Sequence, residues 1–190
     1  IIDDSMFIYP HENVEGIKRG PNIGEPPSNT ALSDSIKGSV WIKVGDKITT
    51  DHIMPAGQYL KYRSNIPRYS QVVFNPLDPD FATRAAKLRD EGECGFIVAG
   101  SSYGQGSSRE HAAICPMYLG VKAVVAVTIE RIHQANLCNF GILPLLFKNA
   151  EDYESIKYGD KLELSNVYSS LEKGEFILKD LTTGKDIPLT

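Results

Sequence analysis

The chain has 190 residues, 42% hydrophobic and 23% charged, a balance that suits one globular domain, or one domain with an arm, around a real core. A net charge of −4 supplies no basic field for nucleic acid, so any bound anion must be held by local arginines. No apolar run approaches the roughly 18–20 residues of a membrane-spanning helix, and no membrane partner is expected. Cys94, Cys115 and Cys138 are too few for a disulfide framework and have no Cys-x-x-Cys spacing, so a zinc or iron–sulfur site built from this chain alone is not expected. Free thiols fit a reducing compartment.

Residues 1–36 read as an extended, linker-like arm. Pro10, Pro21, Pro26 and Pro27 alternate with Gly16, Gly20 and Gly24 and show no period. The chain opens on Ile1-Ile2-Asp3 rather than Met, which fits a piece processed or cut from a longer polypeptide. Residues 37–190 read as the folded domain.

Within it, Ser39–Val44 reads as a strand, followed by a turn at Gly45-Asp46. The segment Tyr59–Tyr69 reads as short helix and loop, and Phe81–Glu91 as a helix with Gly92 at its C-cap. Next come a buried strand at Gly95–Ala99, a glycine-rich loop and a helix over Ser108–Tyr118. A strand at Lys122–Val127 leads into a helix from about Ile129 to Asn139, capped by Thr128 and stopped by Gly141. Ile142–Phe147 is a third strand of this series. The β-α-β-α-β order predicts an α/β fold with a mostly parallel central sheet and flanking helices. Strands at Lys161–Leu164, Phe176–Lys179 and Ile187–Leu189 make a C-terminal β-rich segment, the last two as a hairpin around Thr183-Gly184.

The densest chemistry is Gly106-Ser107-Ser108-Arg109-Glu110-His111, which closes the glycine loop that leaves the strand ending at Ala99. Loops of this kind bring backbone N–H groups up to an anion. Ser107 and Glu110 also have capping-box spacing, so Ser107 can equally cap the following helix. The two roles are compatible. A helix terminus contributes about 0.3–1 kcal/mol, up to about 2, while one pKa unit is about 1.4 kcal/mol. The terminus alone cannot turn a serine into a base; Arg109, backbone donors and exclusion of water would have to help. Asp51 and His52, after the first strand, read either as a turn and cap or as a carboxylate that orients a partner group. Arg63, among aromatics, either packs and snorkels or clamps a carboxylate. His11, His111 and His133 read as solvated or structural, and Cys115 and Cys138 as buried small apolar residues. The glycine loop lacks the lysine and spacing of a nucleotide cradle.

Three blocks in order now resemble the signatures of the aconitase family: Gly45-Asp46-Lys47-Ile48-Thr49-Thr50-Asp51-His52-Ile53, then Tyr103–His111, then Ala126–Leu137 with Gly141-Ile-Leu-Pro-Leu145. The likeness covers roughly residues 38–160. It is to the C-terminal mobile domain of aconitate hydratase, which implies a swivelling β/β/α domain. It further implies a hydro-lyase of the tricarboxylic acid cycle that isomerises citrate and isocitrate through cis-aconitate. By the same resemblance, Ser107 is the base and Asp51 a member of the catalytic network. Arg63, Ser108 and Arg109 bind substrate, and Gly104, Gly106 and His52 support the loop.

A 4Fe–4S cluster is implied on other domains or a partner chain, with no metal on this chain. The expected partners are the cluster-bearing domains 1–3, in the same or another chain, and a tricarboxylate. The chain alone is expected to be inactive, and its compartment is the cytoplasm, or the mitochondrial matrix in a eukaryote. Two alternatives stay open. One is a small subunit or domain of a 3-isopropylmalate or homoaconitate hydro-lyase. The other is a non-catalytic anion-binding or regulatory module.

Overall fold

A computed structural model describes residues 3–10, 16 and 18–190. His11 lies outside the described residues. The described residues before Ser35 contain no helix or strand. Strand β1 (Ser35–Val44) then begins two residues inside the range read as arm. Short helices α1 (Thr50–Ile53) and α2 (Ile66–Tyr69) flank a 3-10 turn at Gly57–Tyr62. Helix α3 (Phe81–Asp90) leads to β2 (Gly95–Ala99), and α4 (His111–Tyr118) to β3 (Val121–Ala126). Then α5 (Arg131–Asn139), β4 (Leu143–Leu146), α6 (Asp152–Ser155), β5 (Lys161–Ser165), α7 (Val167–Lys173), β6 (Phe176–Asp180) and β7 (Lys185–Leu189) complete the chain.

The seven strands among the described residues form one sheet in the order β4-β3-β2-β1-β5-β6-β7. The half from β4 to β1 is parallel, as the alternation of strands and helices requires. The C-terminal strands continue the same sheet antiparallel from β1. The ends then meet: Leu146 N–H donates to the Thr190 carbonyl at 2.8 Å, and Thr190 N–H to the Leu146 carbonyl at 2.9 Å. Phe147 and Leu189 form a bridge beside them, so the sheet is nearly closed.

Closure explains why β2 is buried along its whole length. Successive side chains of a strand point to opposite faces. Phe96 and Val98 enter the core enclosed by the curled sheet, with Val40, Val125, Leu162 and Leu178. Ile97 and Ala99 enter a second core beneath the helices, with Trp41, Val124, Phe74 and Phe81. Both faces of the parallel strands are therefore apolar, which is what a continuous run such as Phe-Ile-Val-Ala encodes.

Two helix starts differ from the sequence reading. Helix α4 begins at His111, its N-cap is Glu110, and no side chain caps it. The Ser107–Glu110 capping box does not form because the chain between them still belongs to the loop. Helix α5 begins at Arg131. Thr128 does not cap it; its hydroxyl accepts from Ser102 N–H at 2.7 Å and so ties down the glycine loop. Cys138 is exposed rather than buried, while Cys115 is buried as expected.

Candidate active site

The loops that leave β1, β2 and β3 at their carboxyl ends come together, where parallel sheets place their ligands. The glycine loop after β2 is sewn between the other two. On one side, Gly104 N–H donates to the Ile48 carbonyl at 2.7 Å, and Thr50 N–H to the Gln105 carbonyl at 2.9 Å. On the other, Tyr103 N–H donates to the Thr128 carbonyl at 3.0 Å, and Glu130 N–H to the Tyr103 carbonyl at 2.9 Å. At the root, the Asp46 carboxylate accepts from Ser101 N–H at 2.7 Å.

Gly104 has φ +84° and lies on the His133 imidazole; a Cβ there would stand 2.3 Å from ring atoms. Only glycine meets both demands. At Gly106, φ +106°, a Cβ would stand in ordinary contact with the Thr50 hydroxyl at 3.7 Å, so conformation alone requires glycine there.

Beyond Gly106 the chain opens onto a cleft of about 210 Å³ lined by Ser107, Ser108, Arg109, Thr50, Arg131 and His133 among others. Ser107 and Ser108 are exposed. Buried Thr50 sends its hydroxyl to the Ser107 carbonyl at 3.0 Å, the contact that holds the serine's backbone in place of the expected cap.

Arg109 is paired with Asp51 through Nη1 to Oδ1, and through Nη2 to Oδ2 at 3.3 Å. Its Nη1 also reaches the Met54 carbonyl at 3.3 Å. A guanidinium carries five N–H donors in a rigid fork. These three bonds use the end of the fork and leave Nε–H and one Nη2–H, the pair on its side, for a carboxylate. The Arg109 hydrogen bond holds the Asp51 carboxyl below the usual carboxylate range. Asp51 therefore keeps its charge to a lower pH than a free carboxyl does.

The other expected site residues stand around this pair. His52 accepts the Thr49 N–H on Nδ1 at 3.1 Å, while the Thr49 hydroxyl oxygen accepts from His52 N–H at 3.2 Å. This reciprocal capping box holds α1, and with it Asp51. Arg63 ends the 3-10 turn and is exposed, and its guanidinium has no hydrogen bond or ion pair among the described residues. It does not line the cleft of Ser107. Its backbone carbonyl instead meets His111 Nε2 at 2.9 Å.

The contacts of Thr50, His111 and His133 were not legible in the sequence, although His111 and His133 do take the locally satisfied or structural places expected of them. Thr50 sits inside a quoted signature block, but nothing in its spacing reveals a bond to Ser107. His133 is buried with neither ring nitrogen partnered, and Asn136 Nδ2 and the Tyr103 hydroxyl share that condition among the described residues. Burial pushes the His133 pKa down to about 4, so its ring is neutral near pH 7. The rings of Tyr103 and His133 lie 5.2 Å apart.

The described residues hold no group of three or more His, Cys, Asp or Glu able to bind a metal. Cys94 donates to the Lys37 carbonyl, Cys115 is buried with its thiol pKa raised, and Cys138 stands apart and exposed. These residues do not fit an iron–sulfur cluster.

Residues 43–150, more than half of the chain, match the model of the aconitase C-terminal domain. Homocitrate dehydratase, mitochondrial, of Saccharomyces cerevisiae is 34% identical over 188 residues, covering 86% of this chain and 23% of that protein. A probable mitochondrial aconitate hydratase of Dictyostelium discoideum is 36% identical, covering 82% of this chain and 21% of that protein. The chain thus spans about a fifth of the length of these relatives. Small subunit 1 of 3-isopropylmalate dehydratase from Thermotoga maritima is 41% identical over 155 residues, covering 82% of each chain. The crystal structure of 3-isopropylmalate dehydratase from Methanocaldococcus jannaschii superposes with a TM-score of 0.66 at 33% identity, covering 82% of this chain and 81% of that one. Fold, signature loops and relatives agree, and the chain belongs to the aconitase family through its C-terminal domain, in the company of hydro-lyases.

Proposed function

We propose that this chain is the swivel domain of an aconitate hydratase, inactive until it closes over domains that carry a 4Fe–4S cluster. The observation that supports this most is the Arg109 fork, gripped end-on by Asp51 with its side-on donors left over, beside exposed Ser107. In this reading the substrate carboxylate takes the free edge of Arg109. Ser108 adds a hydrogen bond, and Ser107 Oγ removes the proton from the substrate carbon. Arg63 approaches a second carboxylate from the other side. The chain's own contribution is thus binding, orientation and the base, and closure would exclude water from them.

The cluster, when bound by the other domains, would supply the Lewis acid for the leaving hydroxyl; Cys94, Cys115 and Cys138 are not its ligands. The compartment is the cytoplasm, or the mitochondrial matrix in a eukaryote. Neither nucleic acid nor membrane is a partner.

The match to a small subunit over 82% of both chains favours a second reading, the small subunit of an isopropylmalate-type hydro-lyase. Arg63 decides between them, because a site built to pair a charge discriminates strongly against a substrate lacking it. The test is to assemble this chain with its cluster-bearing domains and compare isocitrate with isopropylmalate. Turnover of isocitrate by the assembly, with none by the chain alone, is expected. A preference for isopropylmalate would establish the second reading. Turnover by the chain alone would contradict the dependence on other domains.

A further inference from the structure

We infer that His111 is a positioning residue that fixes Arg63 relative to the serine loop; this rests on the reading of Arg63 as a substrate-carboxylate arginine. His111 is the first residue of α4, two residues after Arg109. Its Nε2 lies 2.9 Å from the backbone carbonyl of Arg63, across 48 residues of sequence. A carbonyl oxygen only accepts, so Nε2 carries the proton.

The contact matters because the turn is held mainly by its tyrosines, Tyr59 and Tyr62, which pack partly buried against the core, and not at Arg63. The turn Gly57–Tyr62 has no buried residue, and the Arg63 carbonyl lies at its open end, where helical carbonyls lack internal partners. Nearby ties hold its neighbours: Gly24 N–H donates to the Ser64 carbonyl at 2.9 Å, and the Arg68 guanidinium lies 4.1 Å from the centre of the Tyr62 ring. Among the described residues, the bond to His111 is the one hydrogen bond from Arg63 to α4, the helix that directly follows the loop of Ser107 and Arg109. Its ring is fixed in turn, tilted against that of Tyr69 with centroids 5.1 Å apart. The Tyr69 hydroxyl donates to the Pro55 carbonyl at 3.1 Å, so the support is anchored at its far end. A two-point clamp on a substrate works only if its two arginines keep a fixed separation, and a small misplacement costs much of the gain.

The test compares His111→Phe, which keeps a flat ring without the donor, with His111→Gln, whose amide nitrogen reaches about as far as Nε2. His111→Asn, whose amide falls short, is the control. All are measured in the assembled enzyme, with melting curves to confirm folding. His111→Phe and His111→Asn should raise KM for isocitrate about tenfold with kcat within about twofold, the size of one lost hydrogen bond. His111→Gln should restore most of it. In an Arg63→Gln background, His111→Phe should have no further effect on KM.

If Arg63→Gln raises KM but His111→Phe does not, the positioning role is overturned and the reading of Arg63 stands. The same holds if His111→Gln rescues no better than His111→Asn, a comparison that remains available if the Phe variant does not fold. If Arg63→Gln leaves KM unchanged, the carboxylate role of Arg63 fails, and this inference with it.

Discussion

Asp51 grips the end of the Arg109 guanidinium across 58 residues of sequence and leaves the side of the fork open. The pair is solvent-facing on the aspartate side, with 63% of the Asp51 side chain exposed. Exposed pairs contribute little to stability, typically below about 1 kcal/mol. Asp51→Asn should therefore shift the urea unfolding free energy by no more than that amount. It should nonetheless lower kcat/KM of the assembled enzyme by about tenfold or more, because the freed Arg109 fork loses its orientation. A large stability loss with intact turnover would mean that the pair serves the fold alone.

Gly104→Ala should be costly. The new methyl would stand 2.3 Å from the His133 ring in a backbone conformation of φ +84°. Left-handed strain of about 1–2 kcal/mol adds to overpacking of about 1–3 kcal/mol, for a loss of roughly 2–5 kcal/mol in denaturant unfolding. A loss below 1 kcal/mol would show that the loop can rise off His133 at little cost.

His133 makes stability depend on pH. Its folded pKa is pushed from 6.5 down to about 4 by burial. Between these values the unfolded chain binds the proton and the folded chain does not. Stability is thus full above about pH 6.5, falls as the pH drops toward 4, and loses nothing more from this group below that. The full change is on the order of 3 kcal/mol. His133→Phe should flatten that part of the pH profile of urea unfolding relative to wild type. An unchanged slope would contradict a buried neutral ring.

The thiols offer a check independent of catalysis. Cys138 is exposed and Cys115 buried with its pKa raised, so the thiolate that reacts is suppressed at Cys115. Iodoacetamide at pH 8 should label Cys138 rapidly and Cys115 only after unfolding, as peptide mass spectrometry would read. Rapid native labelling of Cys115 would contradict the packing of α4.

Long apolar runs carried most of the fold. Phe96-Ile-Val-Ala99 and Ala123-Val-Val-Ala126 are apolar at every position, so buried parallel strands were legible, as was the hairpin around Gly184. Closure of the sheet was not. It depends on Leu146 meeting Thr190, a contact between chain segments with no local signal. Short α6 and α7 escaped notice because neither carries a long apolar period. At the site, the sequence motifs brought Asp51, Ser107, Ser108 and Arg109 to attention, and the structure gathers them. The same motifs misplaced the cap. Ser107 and Glu110 have the right spacing, yet the loop stays non-helical through Arg109, and the working capping box is Thr49 with His52. His111 and His133 looked structural because their partners, Arg63 and Gly104, are visible only in three dimensions.

Ser107→Ala in the assembled enzyme tests the role of Ser107 as the base most directly. The side chain is exposed at the cleft, so the variant should fold as wild type. A general base contributes typically about 10²–10⁴ in rate. A fall of that size in kcat for isocitrate is expected, with KM changed by less than about threefold. A kcat within about threefold of wild type would contradict that role.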